Sequence, residues 1–247
     1  MNRWCLLGAG LCAYALALLA TAPATLADAA LQRASGGMLR LAVAQGLLWS
    51  GSAQIEIRDP RGQSGIAREI AWRVLPLSLL RGHLASEVRL ERAKAPFPVT
   101  LTASRIELAN AEIHLPAAVL GLAVRKLAPL GLTGDVLISV SHISIARDAI
   151  AGRAILQWRA AGSLLTTVSP LGDYELGLDA EGRTINAQLR TIEGPVRLDG
   201  KGSWTPSSRP VFLGMANVPP QHEQQLAPLL RLIAVERGAG QFELQLN

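Results

Sequence analysis

The chain has 247 residues, 49% of them hydrophobic and only 17% charged, with a mean hydropathy of +0.27; it is too apolar for disorder and large enough for one sizeable core or two small ones. A net charge of +5 invites nucleic acid as a partner, but such a surface needs clustered basic residues interleaved with aromatic stacking platforms. Here Arg58, Arg61, Arg68, Arg73, Arg81, Arg89 and Arg92 come singly and aromatic residues make up 4%, so no nucleic-acid partner is expected and the basic residues read as a solvated surface, with attraction to anionic lipid headgroups as a weaker use.

The first element is an apolar run from Trp4 to Ala27, preceded by Arg3 and free of charge until Asp28. It exceeds the roughly 20 residues that cross a bilayer, and the single positive charge on its short side predicts a cytoplasmic amino terminus with everything after Asp28 exported. Residues 1–28 are therefore read as an uncleaved transmembrane anchor. The competing reading is a signal peptide cleaved near Ala24-Thr25-Leu26-Ala27. Both cysteines, Cys5 and Cys12, lie inside this run, so no disulfide can staple the body; acylation is not expected because Trp4 and Leu11, rather than small residues, precede them.

Residues 29–37, ending Ser35-Gly36-Gly37, read as a linker. Leu39, Leu41 and Val43 then alternate with Arg40 and Ala42 as a first strand, and Ile55 and Ile57 alternate with Glu56 and Arg58 as a second. Asp59-Pro60-Arg61-Gly62 is a turn, and the chain returns from Ile66 to Val74. Val88 and Leu90 define a further strand that Pro96-Phe97-Pro98 breaks from the next. In that one Val99, Leu101 and Ala103 give way to Ile106 and Leu108 on the opposite parity, which a β-bulge near Ser104 would produce. Val136, Ile138 and Val140 give way to Ile143 and Ile145 in the same manner. Bulged strands bend, so a curved sheet is expected.

Pro116 to Leu127 reads as a short helix stopped by Pro129, and further strands follow around Tyr174-Leu176-Leu178, Ile185-Ala187-Leu189, Val196 to Trp204 and Val211 to Leu213. Pro219-Pro220 opens an amphipathic helix through Leu226, Leu229, Leu230 and Ile233, with Gly238 as its end. Phe242, Leu244 and Leu246 alternate as a last strand, which we take as a candidate interaction edge.

One phrase is written twice. Gly46-Leu47-Leu48-Trp49-Ser50-Gly51 leads through an alternating strand to Ile70-Ala71-Trp72-Arg73, and Gly131-Leu132-Thr133-Gly134 leads similarly to Leu156-Gln157-Trp158-Arg159. The expected body, 38–247, is thus a mainly β, curved antiparallel sheet built from two related halves, about 38–128 and 129–247, with two short helices. Gly46, Trp49, Gly51, Trp72, Gly131, Gly134, Trp158 and Trp204 are its marker residues, with the glycines at turns and most of the tryptophans in the core.

Candidate chemistry is sparse. His83, His114, His142 and His222 are scattered without a partner at metal-ligand spacing, and His142 beside Ser141 and Ser144 lacks a nucleophile elbow. Asp173, Glu175 and Asp179 share a strand face as paired glycosidase acids would, but their alternation with apolar residues favours a solvated sheet face. Neither a phosphate loop nor a dinucleotide fingerprint occurs. No catalytic residue, cofactor or metal is expected.

Taken in order, the anchor, the Gly-Leu-Leu-Trp-Ser-Gly-Ser-Ala entry at Gly46, the Gly-Leu-Thr-Gly-Asp-Val restart at Gly131, Leu171-Gly172-Asp173-Tyr174 and the Leu-x-Thr-x-x-Gly-x-x-x-Leu-x-Gly-x-Gly-x-Trp run from Leu189 to Trp204 closely resemble the type II secretion system protein N family. That family is similar in turn to AsmA-type envelope proteins. The resemblance implies a non-catalytic inner-membrane accessory of the machine that exports folded proteins from the periplasm of Gram-negative bacteria, with a periplasmic body and other secretion components as partners. The alternative it leaves is an AsmA-like periplasmic protein that binds lipid or maintains the envelope.

Overall fold

The computed structural model describes residues 3–58, 66–91, 93, 95–205, 208 and 211–246; the turn expected at 59–62 lies outside them. The chain divides into two compact units, Met1–Glu91 and Arg92–Asn247. Residues 97–128 thus belong to the second unit.

The first unit opens with a helix, α1 (Arg3–Ala20), of 18 residues. At about 1.5 Å per residue it reaches about 27 Å, against a hydrocarbon thickness of about 30 Å. Among the described residues no helix is long and apolar enough to cross a membrane, so the single spanning helix expected from Trp4 onward is not found. The helix stops because the chain turns onto the sheet: the Leu48 amide donates to the Ala22 carbonyl at 2.8 Å and the Ala24 amide to the Gly46 carbonyl at 3.1 Å.

The expected linker is also largely helical, since α2 spans Thr25–Ala34. Asp28 in its first turn accepts hydrogen bonds from the Leu41 amide at 2.8 Å and from Gln32 Nε2 at 2.8 Å. Burial alone would raise the Asp28 pKa, but these two bonds and the charges of Arg40 and Arg58 outweigh it and hold the carboxyl below its usual value. Four strands follow, β1 (Leu39–Leu47), β2 (Ser50–Ile57), β3 (Ile66–Leu75) and β4 (His83–Leu90), paired in chain order and antiparallel throughout.

Among the described residues the second unit holds ten strands: β5 (Phe97–Thr102), β6 (Arg105–Pro116), β7 (Leu132–Ala146), β8 (Ile150–Ser163), β9 (Gly172–Glu181), β10 (Thr184–Glu193), β11 (Arg197–Trp204), β12 (Phe212–Asn217), β13 (Ala234–Gly238) and β14 (Gln241–Leu246). Neighbours follow chain order to β12, and then β14 lies between β12 and β13. Every pairing is antiparallel, as hairpin connections dictate.

Several local expectations change. The parity switch near Ser104 is a tight turn, because Leu101 pairs with Ile106 and Val99 with Leu108 across a hairpin; Phe97 and Pro98 lie inside β5 rather than breaking it. The matching switch in β7 is a true bulge between Val140 and His142. The helix expected from Pro116 to Leu127 is a short α3 (Ala118–Ala123) followed by a 3-10 turn, Arg125–Leu130, that contains Pro129. The last helix, α4, covers Pro220–Leu230, and Gly238 ends β13 rather than the helix.

Amphipathic spacing explains what α4 buries. Leu226, Leu229 and Leu230 fall on one face and join Phe242, Val136 and Val218 in the core of this unit, with Phe242 fully buried at 0% exposure. Its first turn is tied down from β14's side, because Glu223 Oε1 accepts from the Gly240 amide at 3.0 Å, and an acid at a helix start also suits the dipole.

Candidate functional site

The marker tryptophans are backbone anchors. In the first unit Trp72 stands opposite Gly51 on β2, and its indole nitrogen donates to the Leu48 carbonyl at 2.9 Å. A Cβ on Gly51 would lie 2.7 Å from the Trp72 ring, so only glycine lets the ring rest on the β2 backbone. Trp49 donates to the Leu19 carbonyl at 2.7 Å, and Gly46, at φ +88°, pairs with Gly51 where β1 bends. In the second unit Trp158 donates to the Thr133 carbonyl at 2.9 Å, again near the start of the preceding strand. Gly131 caps the 3-10 turn in the left-handed region. Gly134, at φ +102°, lies under a β8 bulge where an added Cβ would sit 2.5 Å from the Arg159 and Ala160 carbonyls.

The motif residues around Tyr174 and Trp204 have structural roles as well. Asp173 Oδ1 accepts from the Ala160 amide at 2.8 Å and so holds the bulge between Trp158 and Ala161. The Tyr174 hydroxyl, buried, lies 3.0 Å from the Leu171 and Val196 carbonyl oxygens, between which its proton is shared. Burial pushes its pKa well above the usual phenol value, and the Asp173 charge adds to the rise. Thr191 Oγ1 bridges β10 to β11 by accepting from the Leu198 amide at 2.6 Å and donating to its carbonyl at 2.9 Å.

On β11, Leu198, Gly200, Gly202 and Trp204 share one face by strand alternation. The ring of Phe212 covers the two glycines: a Cβ on Gly200 would meet its Cζ at 2.5 Å, and one on Gly202 its Cδ2 at 2.9 Å. The glycines of the Leu-x-Gly-x-Gly-x-Trp phrase thus make room for a phenyl ring on the sheet surface.

That same face lines a cavity of about 610 Å³ in the second unit. Leu156, Trp158, Leu176, Leu189, Leu198 and Leu244 contribute from the sheet, and Leu229 and Leu230 from α4. Sequence reasoning did not foresee the cavity. Its signal was present in the matched apolar parity of β8 to β11, but a helix that covers only part of the face cannot be placed from periodicity.

Of the carboxylates, Asp179 is exposed, whereas the Glu175 side chain is mostly covered. Glu175 Oε1 accepts from Arg190 at 2.5 Å and its Oε2 from Gln157 at 3.1 Å, while Asp179 pairs with Arg153 at 2.7 Å. The proposed edge, however, is not an edge. The strand carrying Phe242, Leu244 and Leu246 pairs with β12 on one side and β13 on the other, so the outer strand is β13. There Val235 is 60% exposed, and Arg231–Glu236 and Arg237–Glu243 ion pairs flank it, the kind of charge that blunts a free edge.

An antiparallel β protein with repeated tryptophan-anchored hairpins, and with an apolar cavity between its sheet and a carboxyl-proximal helix, is the class these features define. The chain belongs to the type II secretion system protein N family, whose model matches residues 38–245. No curated protein and no solved structure was found to match it.

Proposed function

We propose that this component of the type II secretion system acts by binding rather than catalysis, as an accessory held at the inner membrane with its β body in the periplasm. The observation that carries the reading is the family match over 38–245, which takes in nearly all the strands of both units. Membrane tethering is supported by the apolar α1, on which Leu11, Tyr14, Leu18 and Leu19 are exposed. Docking of other secretion components would use the exposed side chain of Val235 on β13, between ion pairs that keep the strand edge itself from pairing indiscriminately.

A photo-crosslinking amino acid at Val235 in living cells, combined with export measurements in a deletion strain, tests this. Capture of a secretion component, with folded substrates retained in the periplasm of the deletion strain, is the expected result. The apolar cavity favours a second reading, a lipid-handling role in the envelope. Normal export together with altered envelope lipids would put that reading first.

A further inference from the structure

We infer that the cavity of the second unit is a binding site for one long acyl chain. The inference rests on the cavity alone and holds under either functional reading.

The volume is the first argument. At about 610 Å³ the space lies within the roughly 300–1,000 Å³ of ligand pockets. A face merely covered by α4 would collapse onto its leucines.

The chemistry of the walls selects the occupant. Three lining side chains with polar atoms already spend them on backbone: Trp158 on the Thr133 carbonyl at 2.9 Å, Tyr174 on the Leu171 and Val196 carbonyls at 3.0 Å, and Ser163 on the Leu130 carbonyl while accepting from the Leu165 amide. A sugar, nucleotide or peptide backbone would surrender most of its water hydrogen bonds there, the Trp204 indole being the one further uncharged donor among the lining side chains. A hydrocarbon chain gives up none and gains with each methylene it buries. Of the charged lining residues, Asp199 alternates with Leu198 and Gly200 and so faces the other side of the sheet, whereas Lys126 is exposed and donates to the Gln245 carbonyl at 3.0 Å, where an amphiphile's head would meet water.

Shape completes the case. Register places Leu156 opposite Leu176, Leu176 opposite Leu189, Leu189 opposite Gly200, Gly200 opposite Gly214, and Gly214 opposite Leu244. This row crosses six strands, and at about 4.8 Å between strands it is about 24 Å long. One leaflet of hydrocarbon is about 15 Å thick, so an acyl chain of that length laid across the strands follows the row and passes over the Phe212 ring that covers Gly200. Gly200, Gly202 and Gly214 seat the Phe212 ring on the sheet, and that ring forms the floor at the middle of the track.

The test uses the purified full chain and palmitate bearing a photoreactive diazirine near its methyl end. After irradiation and digestion, label is expected on lining residues such as Leu156, Leu176 and Leu198. Leu176→Trp, which fills the track, should lower capture by about tenfold with the thermal midpoint held or raised, whereas Leu213→Trp, on the opposite sheet face, should leave capture unchanged. Label confined to α1 or to surface leucines, or undiminished capture by a folded Leu176→Trp variant, overturns the proposal. If Leu176→Trp does not fold, the map of labelled residues in the unaltered chain decides alone. A parallel arm presents the diazirine on phosphatidylglycerol in vesicles: labelling there assigns the chain to a membrane lipid, and labelling by free palmitate only assigns it to a fatty acid.

Discussion

Trp72 and Trp158 each aim an indole nitrogen at a backbone carbonyl, of Leu48 and of Thr133, near the start of the strand before them. Replacing Trp158 by phenylalanine keeps most of the ring's contacts and leaves the Thr133 carbonyl without this donor, at a cost of about 1 kcal/mol. Alanine also removes the packing; because the ring is half-buried rather than enclosed, the expected loss is about 2–4 kcal/mol, read from urea midpoints. Tyr174 gives a pH-dependent counterpart. Its pKa is raised in the fold, so the unfolded phenol loses its proton first. The contribution is complete below about pH 10 and is lost as pH climbs toward the higher folded value. Tyr174→Phe should flatten that alkaline decline in unfolding midpoints, and an unchanged slope would assign it to other groups. The tryptophans were legible because their spacing repeats. The tyrosine's acceptors were not, since Val196 supplies its carbonyl from a different strand connection and any carbonyl would read alike in sequence.

Elements show where periodicity stops deciding. A one-residue parity change is written identically for a bulge and for a two-residue turn; in β7 it is the bulge and between β5 and β6 the turn, because only the partner strand separates them. Ile233 continues the helical phase of α4, so β13 was hidden: its five residues, Ala-Val-Glu-Arg-Gly, carry little alternation and become a strand by pairing with β14. The α2 helix was hidden similarly, as a short polar stretch that docks on β1 through one aspartate. That dock predicts an acid response. The lowered Asp28 pKa contributes stability above the unfolded value of about 3.9, and the contribution is lost as pH falls through the lower folded value. Asp28→Asn should therefore speed exchange of the Leu41 amide at neutral pH and abolish its acid dependence, as hydrogen exchange would show.

For the whole molecule, the repeated phrase correctly announced a mainly antiparallel β body, but compactness follows packing rather than repetition. The core joining α4, β14 and β7 draws all its residues from the second unit. Residues 92–247 expressed alone should then give a β-type circular dichroism spectrum and one cooperative thermal transition; a non-cooperative melt would show that this core needs the first unit. Function was less legible than fold because none of the motifs read in the sequence specifies a chemistry. What distinguishes the chain is an edge, an apolar helix and a cavity, which are properties of assembled surfaces and not of motifs.

The Phe212 ring over Gly200 and Gly202 constrains how this sequence can change. Gly200→Ala by itself forces a methyl against the ring and against the Leu213 carbonyl at 2.9 Å, whereas after Phe212→Leu only the contact with that carbonyl is left to relieve. The penalty of the first substitution therefore depends on whether the second has occurred. A double-mutant cycle should return a coupling within about 0.5–3 kcal/mol, with the paired replacement costing less than the sum of its parts. Drift through this stretch then has a preferred order, in which the ring must shrink before the bare backbone beneath it can acquire side chains.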